Sequence, residues 1–291
     1  MSPQAVCAYY ADKDCAGYER CDPFTLRFYF NDGATCRERL AESCVLRLTA
    51  TGTGETPART VSCGKAVAQL SCEGYLDYER WPESCSQLPG KVADGAGCIV
   101  DAQCQGGYCE FMGSRNPCGV CRTLARQGEA CVDSNECLDF IPCVDGVCTL
   151  RGKRGAPCDE ASRWCAAGLT CRNLDAAGVG TCQDYLPTGA ACDPNSSEVE
   201  SCNFIQGDEC DFFKGVCTTV LPENRPPRAG EQCSTNSSCN FASFCGAQDS
   251  CKLRPREGQP CAFDEFGQSV CLSPARCFDG VCALRDAAVC Q

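Results

Sequence analysis

Apolar and polar positions along the chain follow two different rhythms, and the change falls near residue 90. In "AVCAYYADKDCAGYERC" Cys7 and Cys15 stand eight apart, close to one face of a helix. "DGATCRERLAESCVLRL" repeats the spacing with Cys36 and Cys44, and Leu40, Val45 and Leu48 fall beside them. "TPARTVSCGKAVAQLSC" begins with Thr56 before Pro57, a helix cap followed by a first-turn proline. There Val61, Ala68, Leu70 and Cys72 can face inward. The pattern predicts helices over 4–20, 33–49 and 57–72, joined by bridges among eight cysteines whose pairing the spacing leaves open. A head of three helices this small has a modest core, so the staples are needed. The segment "FTLRFYF" (24–30), with Tyr9 and Tyr10, makes an aromatic cluster read as core in preference to a contact surface.

"QLPGKVADGAG" (87–97) is Pro and Gly punctuation without apolar period. After it, Gly95, Gly128, Gly155, Gly189, Gly230 and Gly258 each stand three residues before a cysteine. Those cysteines, Cys98, Cys131, Cys158, Cys192, Cys233 and Cys261, open six units spaced 27 to 41 residues apart. The glycines are expected to turn the chain between units with positive φ. "CVDGVC" and "CFDGVC" place Asp-Gly between strand formers, a two-residue hairpin turn. Each unit therefore reads as a loop and then a short hairpin. Bridges from first to third and second to fourth cysteine would tether the loop to both strands. The cysteines so assigned include Cys98, Cys104, Cys109, Cys121, Cys131, Cys137, Cys143, Cys148, Cys158, Cys165, Cys171 and Cys182. Cys118 and Cys290 are left without a partner in their units, joined to one another or to the head. Tyr108, Phe140, Trp164, Leu169, Phe204, Phe212, Phe244 and Phe278 are the large residues placed to be buried. The fold class is small and disulfide-rich: an α-helical head over 1–90, then an extended array of β-hairpin units over 91–291, each touching only its neighbours.

Composition sharpens this picture. Thirty-four cysteines in 291 residues mark a disulfide scaffold and an oxidising compartment. A thiol-rich metal store would favour Cys-x-Cys clusters and few bulky residues; here there are 23 aromatics and no Cys-x-Cys. The opening "MSPQAVC" has no signal-peptide pattern, so a removed leader is expected, and no apolar run is long enough to span a bilayer. The expected location is extracellular, periplasmic or on the cell surface. A net charge of −12 without a basic run argues against nucleic acid. No Asp-x-Asp-x-Asp-Gly loop for calcium appears, and no cofactor is implied. Arginine-rich, lysine-poor usage points to a GC-rich bacterial source, whereas in a eukaryote Asn195 and Asn236 become glycan acceptors.

The run "CIVDAQCQGGYC…CGVCRTLARQGEACVDSNECLDFIPCVDGVC", about residues 98–148 and more weakly to 282, resembles the N-terminal cysteine-rich domain of Dickkopf proteins. "GAPCDEASRWCAAGLTC" is similar to a turn of insulin-like growth factor binding proteins, and the head-plus-repeats plan to exported myxobacterial proteins. The resemblance implies the fold class and an extracellular setting. Dickkopf proteins bind Wnt co-receptors through an Asn-containing stretch ahead of their cysteines. "PGKVADGAG" lacks it, so that partner is not carried over.

The chain has no histidine, which removes Ser-His-Asp and Cys-His catalysis and His-ligated metals. Cys118-Gly-Val-Cys121 has the spacing of a redox pair but no flanking strand and helix. Asp139, Asp264 and Glu265 read as exposed loop acids, with no cleft to hold two of them at a glycosidase separation. The expectation is an exported, non-enzymatic structural or binding protein whose partner is an extracellular protein or glycan, with self-association left open. A protease inhibitor displaying the loops at 193–201 and 262–270 is the first alternative, and a thiol redox protein the second.

Overall fold

The structure is a computed structural model; it describes residues 1–111, 116–138, 141–159, 162–193, 202–219, 227–233, 239–246, 249–262, 270–286 and 290. Helix α1 (Pro3–Cys21) starts where the Ser2 hydroxyl accepts the Ala5 N–H and Pro3 fills the first turn. After α2 (Pro23–Thr25) and a π-helical turn (Leu26–Phe30), α3 (Gly33–Thr49) is capped by the Asp32 carboxylate on the Thr35 N–H at 2.7 Å. Helix α4 (Pro57–Val67) begins at Thr56 as expected but stops short of residue 72. The Ser71 hydroxyl accepts the Gly74 N–H and starts a separate helix, α5 (Cys72–Leu76). Cys7–Cys44 and Cys15–Cys36 join α1 to α3, and Cys21–Cys72 and Cys63–Cys85 fasten the later helices. Cys21, Cys63, Val67 and Tyr75 are buried together, with Tyr10, Tyr18, Leu70 and Trp81 packed around them.

From Cys98 onward one plan is repeated. The third and fourth cysteines face one another across each hairpin: Cys109 and Cys121, Cys143 and Cys148, Cys171 and Cys182, Cys210 and Cys217, Cys245 and Cys251, Cys277 and Cys282. None of these facing pairs is bridged. The bridges run first to third and second to fourth: Cys98–Cys109 with Cys104–Cys121, Cys131–Cys143 with Cys137–Cys148, and Cys158–Cys171 with Cys165–Cys182. The same interlacing holds from Cys192–Cys210 to Cys271–Cys282. In the first and third units the opening strand (Gly97–Cys98, Pro157–Cys158) adds to the hairpin, leaving the last strand central. Asp145 and Gly146 (φ 52° and 80°), and Asp279 and Gly280 (φ 49° and 80°), are the expected hairpin turns.

All six leading glycines have positive φ, from 78° to 91°. Each is the third residue of a β-turn, closed for Gly95 by the Ala96 N–H on the Ala93 carbonyl. They do not turn the chain between units, however. The Gly95 N–H donates to the Cys121 carbonyl, and the Cys121 N–H to the Ala96 carbonyl, both at 2.9 Å, so the turn is docked on the unit's own last strand. The other five glycines repeat the first of these bonds to Cys148, Cys182, Cys217, Cys251 and Cys282.

The units do not trail from the head as an open array. Cys118 is bridged to Cys290, so the first unit is tied to the end of the last, and a Cβ on Gly97 would collide with the Cys290 carbonyl. The head is held between them. Gln103 donates to the Thr51 carbonyl and Gly54 to the Ala102 carbonyl at the first unit. Arg151 pairs with Glu79 at the third, and Arg27 with Glu231 at 3.0 Å at the fifth. Arg39 of α3, only 1% exposed, meets the sixth: it donates to the Ser273 and Leu272 carbonyls at 2.7 and 2.9 Å and grips Glu257 with both nitrogens of its fork. The first and sixth units are therefore not independent ends, which corrects the extended shape within the expected fold class.

The large apolar residues expected to fill the units are also displaced. Phe204, Phe212, Phe244 and Trp164 are exposed, Tyr108, Leu169 and Phe278 half-buried, and Phe140 lies outside the described residues. Cystines occupy the interiors instead, with small or aliphatic companions such as Ala102, Ile141, Ala166, Ile205 and Ala275. Two crossing bridges leave no room for a ring.

Two stability predictions come from buried polar groups. Arg39→Ala removes the guanidinium from a buried pair and should cost about 3 kcal/mol in denaturant melts. Its hydrogen bond holds the Glu257 carboxyl below the usual range, so the pair stabilises above pH ~4.3 and its contribution is lost as pH falls through the lowered value. A wild-type melt from Arg39→Ala would contradict this. Asp14 behaves oppositely: buried, accepting from Tyr10 and Tyr75 at 3.0 and 2.8 Å, its carboxyl is raised by burial. Its contribution is complete below pH ~3.9 and is lost as pH rises through the raised value. Asp14→Asn should raise the melting temperature at pH 7 and flatten its pH dependence; a lower melting temperature at every pH would refute the sign.

Candidate functional site: an aromatic surface

A group of half-exposed aromatic rings gathers where the head meets the fourth and fifth units. The Asp22 carboxylate accepts the Thr25 N–H and Pro23 sets the first turn of α2. The chain then widens into the π-helical turn Leu26–Phe30, a conformation found preferentially at functional sites. Asn31, with φ 75°, ends it. No side chain of "FTLRFYF" is buried, so the segment is a surface and not the core it was expected to be. Phe30 packs 5.9 Å from the Tyr18 ring of the head.

Phe24 stacks on Phe28 at 6.1 Å, and Phe28 meets Tyr29 edge-on at 5.0 Å. Phe241 of the fifth unit lies 5.5 Å from Tyr29 and 6.4 Å from Phe28. Tyr29 and Phe241 are 49% and 46% exposed although each has ring neighbours, so about half of each ring is offered to solvent. The Arg254 guanidinium lies 5.2 Å from the centre of the Phe241 ring. The turn Phe204–Gln206 of the fourth unit adjoins α2, and Tyr185 packs edge-on against Phe204 at 5.1 Å.

Polar bonds fix this surface from beneath. The Asn240 amide donates to the Arg27 carbonyl at 2.7 Å, the Ala229 N–H to the Asn31 side-chain oxygen at 2.9 Å, and Arg27 reaches Glu231. Burial pushes the Tyr18 hydroxyl well above its ordinary range, with Asp14 and Asp22 adding to the shift, so beneath the patch it stays neutral. The platform is rigid, neutral and partly apolar, framed by arginines: suited to contact, not to proton transfer.

The positions weighed for chemistry fall elsewhere. Cys118 and Cys121 are bridged to Cys290 and Cys104, not to one another, so the C-x-x-C spacing does not make a redox pair. The crossing cystines bring three sulfurs within 4.8 Å in several units, such as Cys98, Cys104 and Cys109, but these sulfurs are bonded to sulfur and are not thiolates. Asp139, Asp264 and Glu265, both Asn-Ser-Ser sequons, and nearly all of the loops at 193–201 and 262–270 lie outside the described residues. An open groove of about 680 Å³ runs between α5 and the third unit, lined by Glu73, Leu76, Asp77, Arg154, Leu169 and Asp184. Arg154 and Asp184 pair within it, and Arg80 holds Asp77 at 2.8 Å. No helix among the described residues is long and apolar enough to cross a membrane. "FTLRFYF" stood out in the sequence by its apolar run. Its partner Phe241 gave no such signal, because it meets Tyr29 only once the fifth unit docks.

No family model matches the chain, and no solved structure matches it. Over 159 residues it is 26% identical to cell-cell adhesion glycoprotein 64 of Heterostelium pallidum; the match covers 51% of this chain and 44% of that protein. The chain thus spans less than half the length of this curated relative.

Proposed function

We propose that this protein is an exported, non-enzymatic binding protein of the cell surface or extracellular space, making adhesive contacts through the aromatic surface around Tyr29 and Phe241. The observation that carries the reading is that surface: large rings half exposed, yet fixed by ring packing, a buried amide and an ion pair. Rigid aromatic anchors lose little side-chain entropy on binding and dominate contact energies. The likeness to a cell-cell adhesion glycoprotein supports it. The partner on this reading is an extracellular protein or glycan. The organisation into a 1–90 head and six Dickkopf-like units over 91–291 belongs to the same proposal. It is supported by the change from helix-to-helix bridges to interlaced pairs after Cys85.

The test is adhesion by the oxidised protein displayed on beads. Wild-type beads should bind cells or one another, and the double variant Tyr29→Ser, Phe241→Ser should lose about tenfold or more of that binding while melting like wild type. Undiminished adhesion by the double variant would overturn the assignment of the surface. Clumping of beads without cells would identify a second copy of the chain as the partner.

A further inference from the structure

Arginines at the seams of this acidic chain commonly meet a carboxylate: Arg27 with Glu231, Arg39 with Glu257, Arg151 with Glu79, and Arg256 with Glu38. Arg276 and Arg285 of the sixth unit meet none among the described residues. Arg276 lies in the strand Arg276–Phe278, directly opposite Ala283. Arg285 follows Ala283 by two residues, just past the end of the second strand, so both arginines stand at the open end of this hairpin. The Arg285 guanidinium rests 3.5 Å from the centre of the Phe111 ring in the first unit. Its Nε is buried and donates to nothing. Arg276 makes a single long approach, from Nη1 to the neighbouring Ala275 carbonyl at 3.5 Å.

Such an arrangement is unfavourable as it stands. Two partly buried like charges repel, and the buried Nε of Arg285 has given up water without gaining an acceptor among the described residues. The proton affinities register both effects: burial, and then the charge of Arg276, bring Arg285 down to about 10, and burial lowers Arg276. Stacking on Phe111 fixes the plane of Arg285 and leaves its edge donors directed sideways, the geometry in which a guanidinium grips an oxyanion with paired hydrogen bonds.

We propose that Arg276 and Arg285 form a binding site for a single oxyanion group, a sulfate, phosphate or carboxylate, at the seam between the sixth and first units. This site is separate from the aromatic surface and does not rest on the adhesive reading. The net charge of −12 repels long polyanions at a distance, so the site suits one anionic group and not an extended acidic chain. A bound oxyanion accepts from both guanidiniums, removes their repulsion and strengthens the seam beside Cys118–Cys290.

The test uses the intact oxidised protein, titrated with sodium sulfate, sodium phosphate, methyl glucuronide and galactose 6-sulfate, against sodium chloride at equal ionic strength. At least one of these should give a saturable rise in melting temperature that chloride does not give. The identity of the effective anions separates a free ion from a sugar carboxylate or a sugar sulfate ester. Arg276→Gln should weaken that binding about tenfold while leaving the melting temperature of the free protein unchanged or higher, because a repulsion has been removed. Should Arg276→Gln fail to fold, Arg285→Lys carries the test: it keeps a cation over Phe111, loses the fork, and should also bind more weakly. Either no saturable effect beyond chloride, or a folded variant that binds like wild type, would overturn the proposal.

Discussion

The crossing of two disulfides inside each unit is the constraint on which the rest of this structure depends. The third and fourth cysteines stand opposite one another on a hairpin, the nearest of all partners, yet each is bonded to a cysteine of the loop ahead. A hairpin bridged across itself would leave that loop free, whereas crossed bridges pin it to both strands. Sequence separations of 11 to 18 between partners are worth roughly 3 kcal/mol per bridge in the chain-entropy picture. That is small beside the cost of ordering about thirty residues, at ~1–2 kcal/mol each. The units therefore lean on something else, and the structure shows what: the head and one another.

That dependence explains the shape. With cystines filling the centre of every unit, the larger side chains are turned outward, where they become joints between units or open surface. Phe241 joins the aromatic turn of the head, Phe204 adjoins α2, and Phe111 receives Arg285 from the sixth unit. Arginines complete the joints, Arg39 most fully, with its charge met by the carboxylates of Glu257 and Glu42 and its donors also by two carbonyls. The same displacement produces the proposed contact surface, since rings excluded from a cystine core but held by neighbours are fixed and accessible together.

Local features were legible in the sequence because local rules decide them. Thr56-Pro57 and the Cys7/Cys15 spacing announced helices, Asp145-Gly146 and Asp279-Gly280 announced hairpins, and the need to tether each loop selected the interlaced bridges. Ser71 was overlooked as a cap because Leu70 and Cys72 continued the apolar rhythm of the preceding helix. The glycines were recognised by their regular place but assigned to the gaps between units. Only the hydrogen bond from Gly95 to Cys121 shows that they belong to the unit they precede. What sequence could not provide was the joining of distant parts. Arg39 meets Glu257 across 218 positions with no periodic signature, whereas Cys118 meets Cys290 across 172, one of the two outcomes that counting the unit cysteines leaves open. The aromatic run at 24–30 was visible, but its exposure was misjudged, because burial depends on which units dock beside it.

The whole arrangement depends on the bridge pattern, and above all on the bond that joins the first unit to the end of the last. Peptide mapping of the native protein under non-reducing conditions, with mass spectrometry of the linked fragments, tests it most directly. The account predicts interlaced pairs in every unit, a peptide joining Cys118 to Cys290, and no free thiol. Cys118 or Cys290 recovered as a thiol, or linked to the facing cysteine of a hairpin or to the head, would contradict it.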